Sequence, residues 1–162
     1  MNPDRKIDPE KIRVLNIRTL KGSIEAENEA DPNLIVEYKY SHTLGTGINL
    51  EENLMALKIT VVIETFNSKN EPLSIKGAYT HEFTFLVDNL ADFAETDKED
   101  VVNIDPMMAA TLIGIAYSTI RGIVFTRTQG TSLNAVIMPV IDPKALLEIA
   151  AGFEEVGETV KN

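Results

Sequence analysis

The sequence predicts an α+β fold in which helices pack on one side of an antiparallel sheet. Two observations predict it. Segments rich in β-branched and aromatic residues fill the first half of the 162-residue chain, and two helical segments, each started by an Asp-Pro pair, follow them. Strands first and helices last is the order typical of this class, since alternating strands and helices would predict a parallel sheet. Without an internal repeat or a linker, residues 1–162 form a single predicted domain.

Four segments have the composition and length of β-strands. In the second, alternation places Tyr38, Tyr40 and His42 on one face, and Gly45 and Gly47 are expected to end the strand. Short turns separate the last three segments, which indicates an antiparallel meander. The predicted strands are residues 12–20, 34–44, 54–66 and 75–87. Acidic loops are expected at residues 21–33 and 88–103, and the acidic tail at residues 154–162 is expected to fray.

Two Asp-Pro pairs mark the starts of two helices. Asp105 is a good N-cap, and Pro106 suits the first helical position. This helix is predicted to run to about residue 128, with Gly130 ending it. A second, shorter helix starts in the same way at Asp142 and Pro143. Its predicted apolar face is Leu146, Leu147, Ile149, Ala150 and Phe153.

Composition and charge narrow the classes of partner. A net charge of −10 argues against a nucleic-acid partner and against anionic membranes, because both need a basic face. The chain has no cysteine, which excludes disulfides, thiolate nucleophiles and cysteine-based metal sites. The N-terminal residues are charged, and the longest uncharged run, residues 106–120, is short for a bilayer span. These features predict a cytoplasmic protein with no membrane insertion.

Few residues in the sequence suggest a catalytic or metal-binding site. His42 and His81 are the only histidines, and both lie in predicted strands without a neighbouring nucleophile. Motifs for zinc hydrolysis, a nucleophile elbow, a P-loop or dinucleotide binding do not occur. The sequence therefore predicts no enzyme, no metal and no cofactor. The opposing hypothesis is an unrecognised small-molecule enzyme, and it requires His42 and His81 to meet in a pocket.

The first helix is hydrophobic almost all round. Such a helix is buried on more than one side, and the sheet covers only one of its faces. Small residues, among them Gly114, Ser118 and Gly122, would let the backbone of a second subunit approach closely. We therefore expect an oligomer interface here, the alternative being a helix enclosed within one chain. Arg121, the one charge deep in the helix, needs a carboxylate or carbonyl partner if it is buried.

Several short motifs, in their order and spacing, resemble those of the SecB export-chaperone family, and the resemblance covers most of the chain. The long helix carries Tyr117 and Arg121 and is followed by Gly130, like the family's tyrosine-arginine motif and glycine. Residues 52–65 are similar to the family's central strand. The other matching positions are Ser23-Ile24-Glu25-Ala26, Met138-Pro139-Val140 and Ile141-Asp142. The family's Phe-Pro before the tyrosine is replaced by Ile115-Ala116.

The resemblance implies a four-stranded antiparallel sheet with a long and a short helix, assembled as a homotetramer that is a dimer of dimers. It implies ATP-independent binding of unfolded, export-bound polypeptides in apolar grooves, walled by the loop at residues 22–32, and transfer to the export motor SecA. The expected groove lining is Phe83, Phe85, Met107, Met108, Met138 and Leu147. The expected oligomer interface is Gly114, Tyr117, Ser118, Arg121, Gly122 and Phe125. Glu25 keeps one acidic motor-docking position of the family, whereas Lys21 replaces another.

The leading hypothesis is an ATP-independent holdase that binds unfolded polypeptides and passes them to the translocation machinery. One alternative is a SecB-like chaperone dedicated to a single partner, such as an antitoxin. Another is a regulatory homo-oligomer without chaperone activity. Binding to many unrelated unfolded chains would separate the first hypothesis from the other two.

Overall fold

A five-stranded antiparallel sheet forms one layer of the protein. The computed structural model describes residues 6–27, 29–97, 101–150 and 158–161. The strands are β1 (Ile12–Glu25), β2 (Glu37–Asn49), β3 (Leu54–Phe66), β4 (Pro72–Val87), β5 (Ala94–Thr96), β6 (Val102–Ile104) and β7 (Glu158–Lys161). The helices are α1 (Pro106–Thr128) and α2 (Pro143–Ala150). The strand order in the large sheet is β1-β4-β3-β2-β7, and β5 and β6 form a separate two-stranded hairpin.

Tight turns join β2, β3 and β4 into the predicted meander. Asn53 and Asn70 adopt positive φ angles of 55° and 59°, which asparagine tolerates better than most residues. Between β3 and β4, the Asn67 side chain accepts hydrogen bonds from the backbone N–H groups of Lys69 and Glu71, at 2.9 and 3.0 Å. These local bonds stabilise the turn and set the register of the two strands.

The core lies between the inner face of the sheet and α1. Strand alternation points Leu57, Ile59 and Phe83 inward, where each is fully buried. The helix contributes its own buried side, including Leu112 and Ile120. The sheet and the helix thus bury their apolar faces against each other, as an α+β domain requires.

Both helix starts are confirmed. The Asp105 side chain accepts hydrogen bonds from the N–H groups of Met107 and Met108, at 2.8 and 3.3 Å. Asp142 does the same for Lys144 at 3.0 Å. Gly130 follows α1 with φ +74°, the left-handed conformation in which glycine commonly ends a helix.

Several predicted boundaries are wrong: β2 begins at Glu37 and not at residue 34, and β4 begins at Pro72 and not at residue 75. β2 continues through Gly45 and Gly47, because β3 pairs with it along its whole length. β1 continues to Glu25, so the first residues of the expected loop wall at residues 22–32 belong to the sheet. Residues 88–103 include a 3₁₀ turn at Leu90–Phe93 and the β5–β6 hairpin, not only loop.

The C-terminal tail also differs from its prediction. Its expected fraying is wrong for Glu158–Lys161, which form β7 against the free edge of β2. Edge strands present unpaired backbone groups, and a tail that reaches them gains hydrogen bonds by pairing. Phe153, predicted on the apolar face of the second helix, lies outside the described residues.

α1 is long and apolar enough to cross a membrane by length and composition alone. The core helix of a soluble protein passes the same test, and 44% of the most apolar window of α1 is buried inside the fold. That the protein does not enter membranes stays a prediction.

Candidate functional site

The residues expected to line a groove divide into two groups. Phe83 and Phe85 are fully buried, with ring centroids 6.2 Å apart, and Met108 and Met138 are 1% and 3% exposed. Met107 is 63% exposed at the start of α1. Leu147 on α2 is half-buried and packs against the core. In this conformation only Met107 and part of Leu147 are accessible to a ligand, and the groove stays a prediction.

Large apolar side chains are exposed along α1 and along residues 129–142, the connector between α1 and α2. Single exposed apolar residues are common, whereas contiguous ones mark interaction surfaces. Phe125 and Ile137 line one hollow and so meet this criterion. We call the whole set of exposed side chains the apolar band. Its members, with their exposed fractions, are Met107 (63%), Ile115 (37%), Phe125 (47%), Ile137 (65%) and Val140 (77%).

A hollow of about 270 Å³ lies within the apolar band. Its lining includes Ser118, Gly122 and Phe125 of α1 together with Ile137. Gly122 opens the surface, since no atom lies within 4 Å of the place where a Cβ would sit. A bulky side chain of a partner fits beside the helix backbone at this point.

The partly buried side chain of Arg121 has the carbonyl partner that its charge requires. Its Nε donates a hydrogen bond to the backbone carbonyl of Met138 at 3.0 Å. The bond holds the connector against α1, and the Tyr40 hydroxyl donates a further bond to the carbonyl of Ile137 at 3.3 Å. Arg121 is therefore a structural side chain within one subunit that also borders the hollow.

Two of the expected interface residues face the interior of the same chain. Tyr117 is 4% exposed, and its hydroxyl lies 3.2 Å from Nε2 of His42. A Cβ on Gly114 would contact the Pro143 ring at 3.5 Å, so this glycine faces the start of α2. Among the expected interface residues, Ser118, Gly122 and Phe125 are the ones exposed on the outside of α1. The interface itself stays a prediction.

β1 forms an exposed edge of the sheet that was not among the predicted binding surfaces. Four large apolar residues on it are exposed: Val14 (43%), Leu15 (54%), Ile17 (44%) and Leu20 (43%). The register against β4 shifts between Val14 and Asn16 and again between Thr19 and Lys21. These β-bulges explain why apolar and polar residues do not alternate regularly along β1. In the sequence, this edge is indicated by apolar residues on both faces of a single strand.

The two histidines do not form a catalytic pair. Both lie on the inner face of the sheet, with β3 between their strands: His42 is opposite Val61, and His81 is opposite Ile59. Burial lowers the pKa of His42 to about 4. Burial, and then the nearby Arg127 charge, also lower the pKa of His81, whose ring nitrogens have no hydrogen-bond partner among the described residues. Both are thus neutral core side chains at pH 7, and the geometry does not favour the enzyme hypothesis.

Comparison with known proteins adds to this geometry. No protein-family model matches the chain, and no curated protein sequence matches it. Among solved structures, the SecB-like chaperone Rv1957 of Mycobacterium tuberculosis matches with a TM-score of 0.57 and 14% identity, over 82% of this chain and 91% of that one. The chain has a SecB-like fold. Rv1957 was solved in complex with a ChAD peptide from the HigA1 antitoxin Rv1956.

The predicted architecture is confirmed on this SecB-like fold. β1 to β4 form the four-stranded antiparallel sheet, and α1 and α2 are the long and the short helix. β7 adds a fifth, short strand at the edge of β2. At this identity the likeness concerns the fold, so the function is argued separately below.

The outer face of the SecB-like sheet carries more cations than carboxylates. All charged residues of β1–β4 occupy register positions on this face. Among the described residues, three ion pairs involve it: Arg13–Asp88 at 2.5 Å, Arg18–Glu82 at 2.7 Å and Lys76–Glu64 at 3.3 Å. The cations are Arg13, Arg18, Lys21, Lys39, Lys58 and Lys76, and the carboxylates are Glu25, Glu37, Glu64 and Glu82. The acidic excess of the chain therefore lies elsewhere than on β1–β4.

Within the described residues, no group of three or more histidine, aspartate or glutamate side chains could hold a metal ion. The arrangement offers apolar area, backbone groups at strand edges and ordered charge, which are the means of binding polypeptides.

Proposed function

We propose that the protein is an ATP-independent chaperone that holds unfolded polypeptide segments. The apolar band is the observation that carries the proposal, because large exposed apolar side chains mark interaction surfaces. The SecB-like fold, which the chaperone Rv1957 shares, supports it. The site holds no arrangement of groups that suggests a reaction, which favours a binding protein over an enzyme.

The two ends of α1 have different proposed roles. Met107 and Phe125 are separated by 18 residues of helix, or about 27 Å at 1.5 Å per residue. We assign the Met107 end, with Leu147, to the polypeptide. Ser118, Gly122 and Phe125, next to the hollow, are assigned to self-association, with a homotetramer as the expected assembly.

Met107→Asp is expected to weaken polypeptide binding about tenfold, because it removes the burial of one large apolar side chain on binding. The measurement is light scattering of an aggregating, chemically unfolded protein at increasing concentrations of this protein, without ATP. Ala91→Asp, which adds the same charge at an exposed position of the 3₁₀ turn, is the matched control. Unchanged suppression by Met107→Asp would remove this end of α1 from the site, and no suppression by the wild-type protein would overturn the proposed function.

Phe125→Asp is expected to reduce the mass of the assembly, because a charge in the apolar band opposes close contact between subunits. Multi-angle light scattering after size exclusion measures the mass of wild type and variant at equal concentration. Thr126→Asp, one residue further along α1 and also exposed, is the control for position and charge. A wild-type protein that elutes as a monomer would contradict self-association.

Within the chaperone class, the finer proposal is a holdase for export-bound polypeptides that passes them to a SecA-type motor in the cytoplasm. A second candidate is a chaperone dedicated to one partner, such as an antitoxin. Two observations favour the second: Rv1957 binds an antitoxin peptide, and the outer sheet face is rich in cations where motor docking implies carboxylates. A panel of unrelated unfolded proteins separates the two candidates. Similar suppression across the panel supports the holdase, and suppression of one protein alone supports the dedicated chaperone.

A further inference from the structure

The free edge of β2 is covered over only part of its length. β7 pairs with the first four residues of the strand, with Lys161 opposite Glu37 and Glu158 opposite Tyr40. β2 itself continues to Asn49. In the described part of the chain, pairing beyond Tyr40 is with β3 on the other side only. A row of backbone N–H and C=O groups therefore remains available along this edge.

β7 is an example of a strand that pairs with this edge. It is an antiparallel strand from a distant part of the sequence, following α2, which packs alongside β2. Extended peptides bind proteins in this way, by adding a strand to an exposed sheet edge. The tail therefore occupies a position where a strand from another polypeptide would fit equally well by backbone geometry.

We propose that an extended polypeptide segment binds to the β2 edge as an added antiparallel strand, and that β7 is the chain's own competing occupant of that site. The proposal rests on the proposed function, since it names a second contact for the same polypeptide. It assigns backbone recognition to β2 and leaves apolar recognition to the Met107 end of α1.

The register of β7 indicates the chemistry of the preferred segment. Val160 lies opposite Tyr38, and Lys161 lies opposite Glu37, which is 8% exposed. Opposite charges at directly paired positions of antiparallel strands generally stabilise the pairing. A segment with a β-branched residue followed by a basic residue therefore matches this edge, and an acidic residue opposite Glu37 disfavours binding.

Competition by β7 lowers the apparent affinity for a polypeptide. When only a fraction of molecules has the edge free, the apparent dissociation constant is the intrinsic one divided by that fraction. A short tethered strand reaches an effective concentration in the millimolar range. If the edge is free in about one third to one tenth of the molecules, releasing β7 tightens binding about 3- to 10-fold, and this is the range we expect.

The first experiment is an amide NMR titration with a peptide of the tail sequence, Gly-Glu-Thr-Val-Lys-Asn, from residues 157–162. A chain ending at Gly157 is expected to bind it at 3- to 10-fold lower concentration than a chain ending at Lys161, with shifts at the amides of residues 37–40. The chain ending at Lys161 retains β7 and is the matched control. Equal binding by the two chains, or shifts elsewhere than on β2, would overturn the proposal.

A charge exchange in the chain of 162 residues tests the same point without truncation. Lys161→Glu places a like charge opposite Glu37 and is expected to tighten binding of the peptide, as truncation does. Adding Glu37→Lys restores the opposite charges within the chain and is expected to return β7 to the edge. The proposal is wrong if Lys161→Glu leaves binding unchanged, or if the double variant binds the peptide as tightly as Lys161→Glu does.

Light scattering distinguishes failure of this proposal from failure of the proposed function. If both chains suppress aggregation with the same midpoint, the chaperone function stands and the competing role of β7 is refuted. If neither chain suppresses aggregation, the proposed function fails, and the peptide titration still decides whether the β2 edge binds a strand. Better suppression by the chain ending at Gly157 supports both.

Discussion

Phe83→Ala is expected to lower the free energy of unfolding by about 3–5 kcal/mol, the usual cost of removing a buried phenylalanine ring. Phe83 is 0% exposed and stacks with Phe85 on the inner face of the sheet. The loss combines the apolar area removed from the core with the cavity left behind. Urea unfolding followed by circular dichroism measures the change.

This experiment also decides between two roles for Phe83. The resemblance to SecB places it in the groove lining, whereas the structure places it in the core. Met107→Ala, at a residue 63% exposed, is the control and is expected to change stability by less than about 0.5 kcal/mol. If Phe83→Ala instead leaves stability intact and weakens polypeptide binding, its ring lines an open groove.

Acidification is expected to destabilise the protein by about 3 kcal/mol through His42 alone, between pH 6.5 and pH 4. The pKa of His42 in the folded protein is lowered from 6.5 to about 4 by burial. In this interval the unfolded chain binds a proton that the folded protein excludes, so stability falls as the pH falls. His42 therefore leaves the free energy of unfolding unchanged above pH 6.5 and lowers it progressively as the pH falls from 6.5 to 4. His81, whose pKa is also lowered, acts in the same direction.

The measurement is the free energy of unfolding from urea titrations at several pH values. His42→Gln removes the titrating group and keeps a polar side chain near the Tyr117 hydroxyl, so the dependence on pH between 4 and 6.5 is expected to flatten. All other ionisable groups are common to wild type and variant, so their contribution to the pH dependence cancels in the comparison. An equally steep dependence in the variant would contradict a neutral, buried His42.

Features fixed by local chemistry were predictable from the sequence. Asp105 and Asp142 each precede a proline, and both cap the helices they were expected to cap. The strand at residues 54–66 was predicted with its observed bounds, because it is flanked by turn residues and alternates throughout. In each case the decisive contacts join residues close in the sequence.

Features fixed by distant partners were not predictable in the same way. β2 passes through Gly45 and Gly47 because β3 pairs alongside, and β7 forms because the β2 edge is free. The segment around Phe83 alternates apolar and polar residues, as any half-buried strand does. Only the packing of α1 against the sheet buries the face on which Phe83 lies. The placement of the candidate site thus depends on tertiary contacts that no short segment of the sequence contains.

The pairing of β1 has a consequence for synthesis on the ribosome. β1 is synthesised before β4, yet among the described residues it pairs with β4 alone, from Ile12 opposite Val87 to Glu25 opposite Lys76. At about 5–20 residues per second, its partner emerges several seconds later, after the β2–β3 hairpin. During that interval the apolar residues of β1 are exposed on a nascent chain. A protein proposed to hold unfolded polypeptides is therefore itself exposed to aggregation during translation, and slow or crowded synthesis is expected to lower its yield.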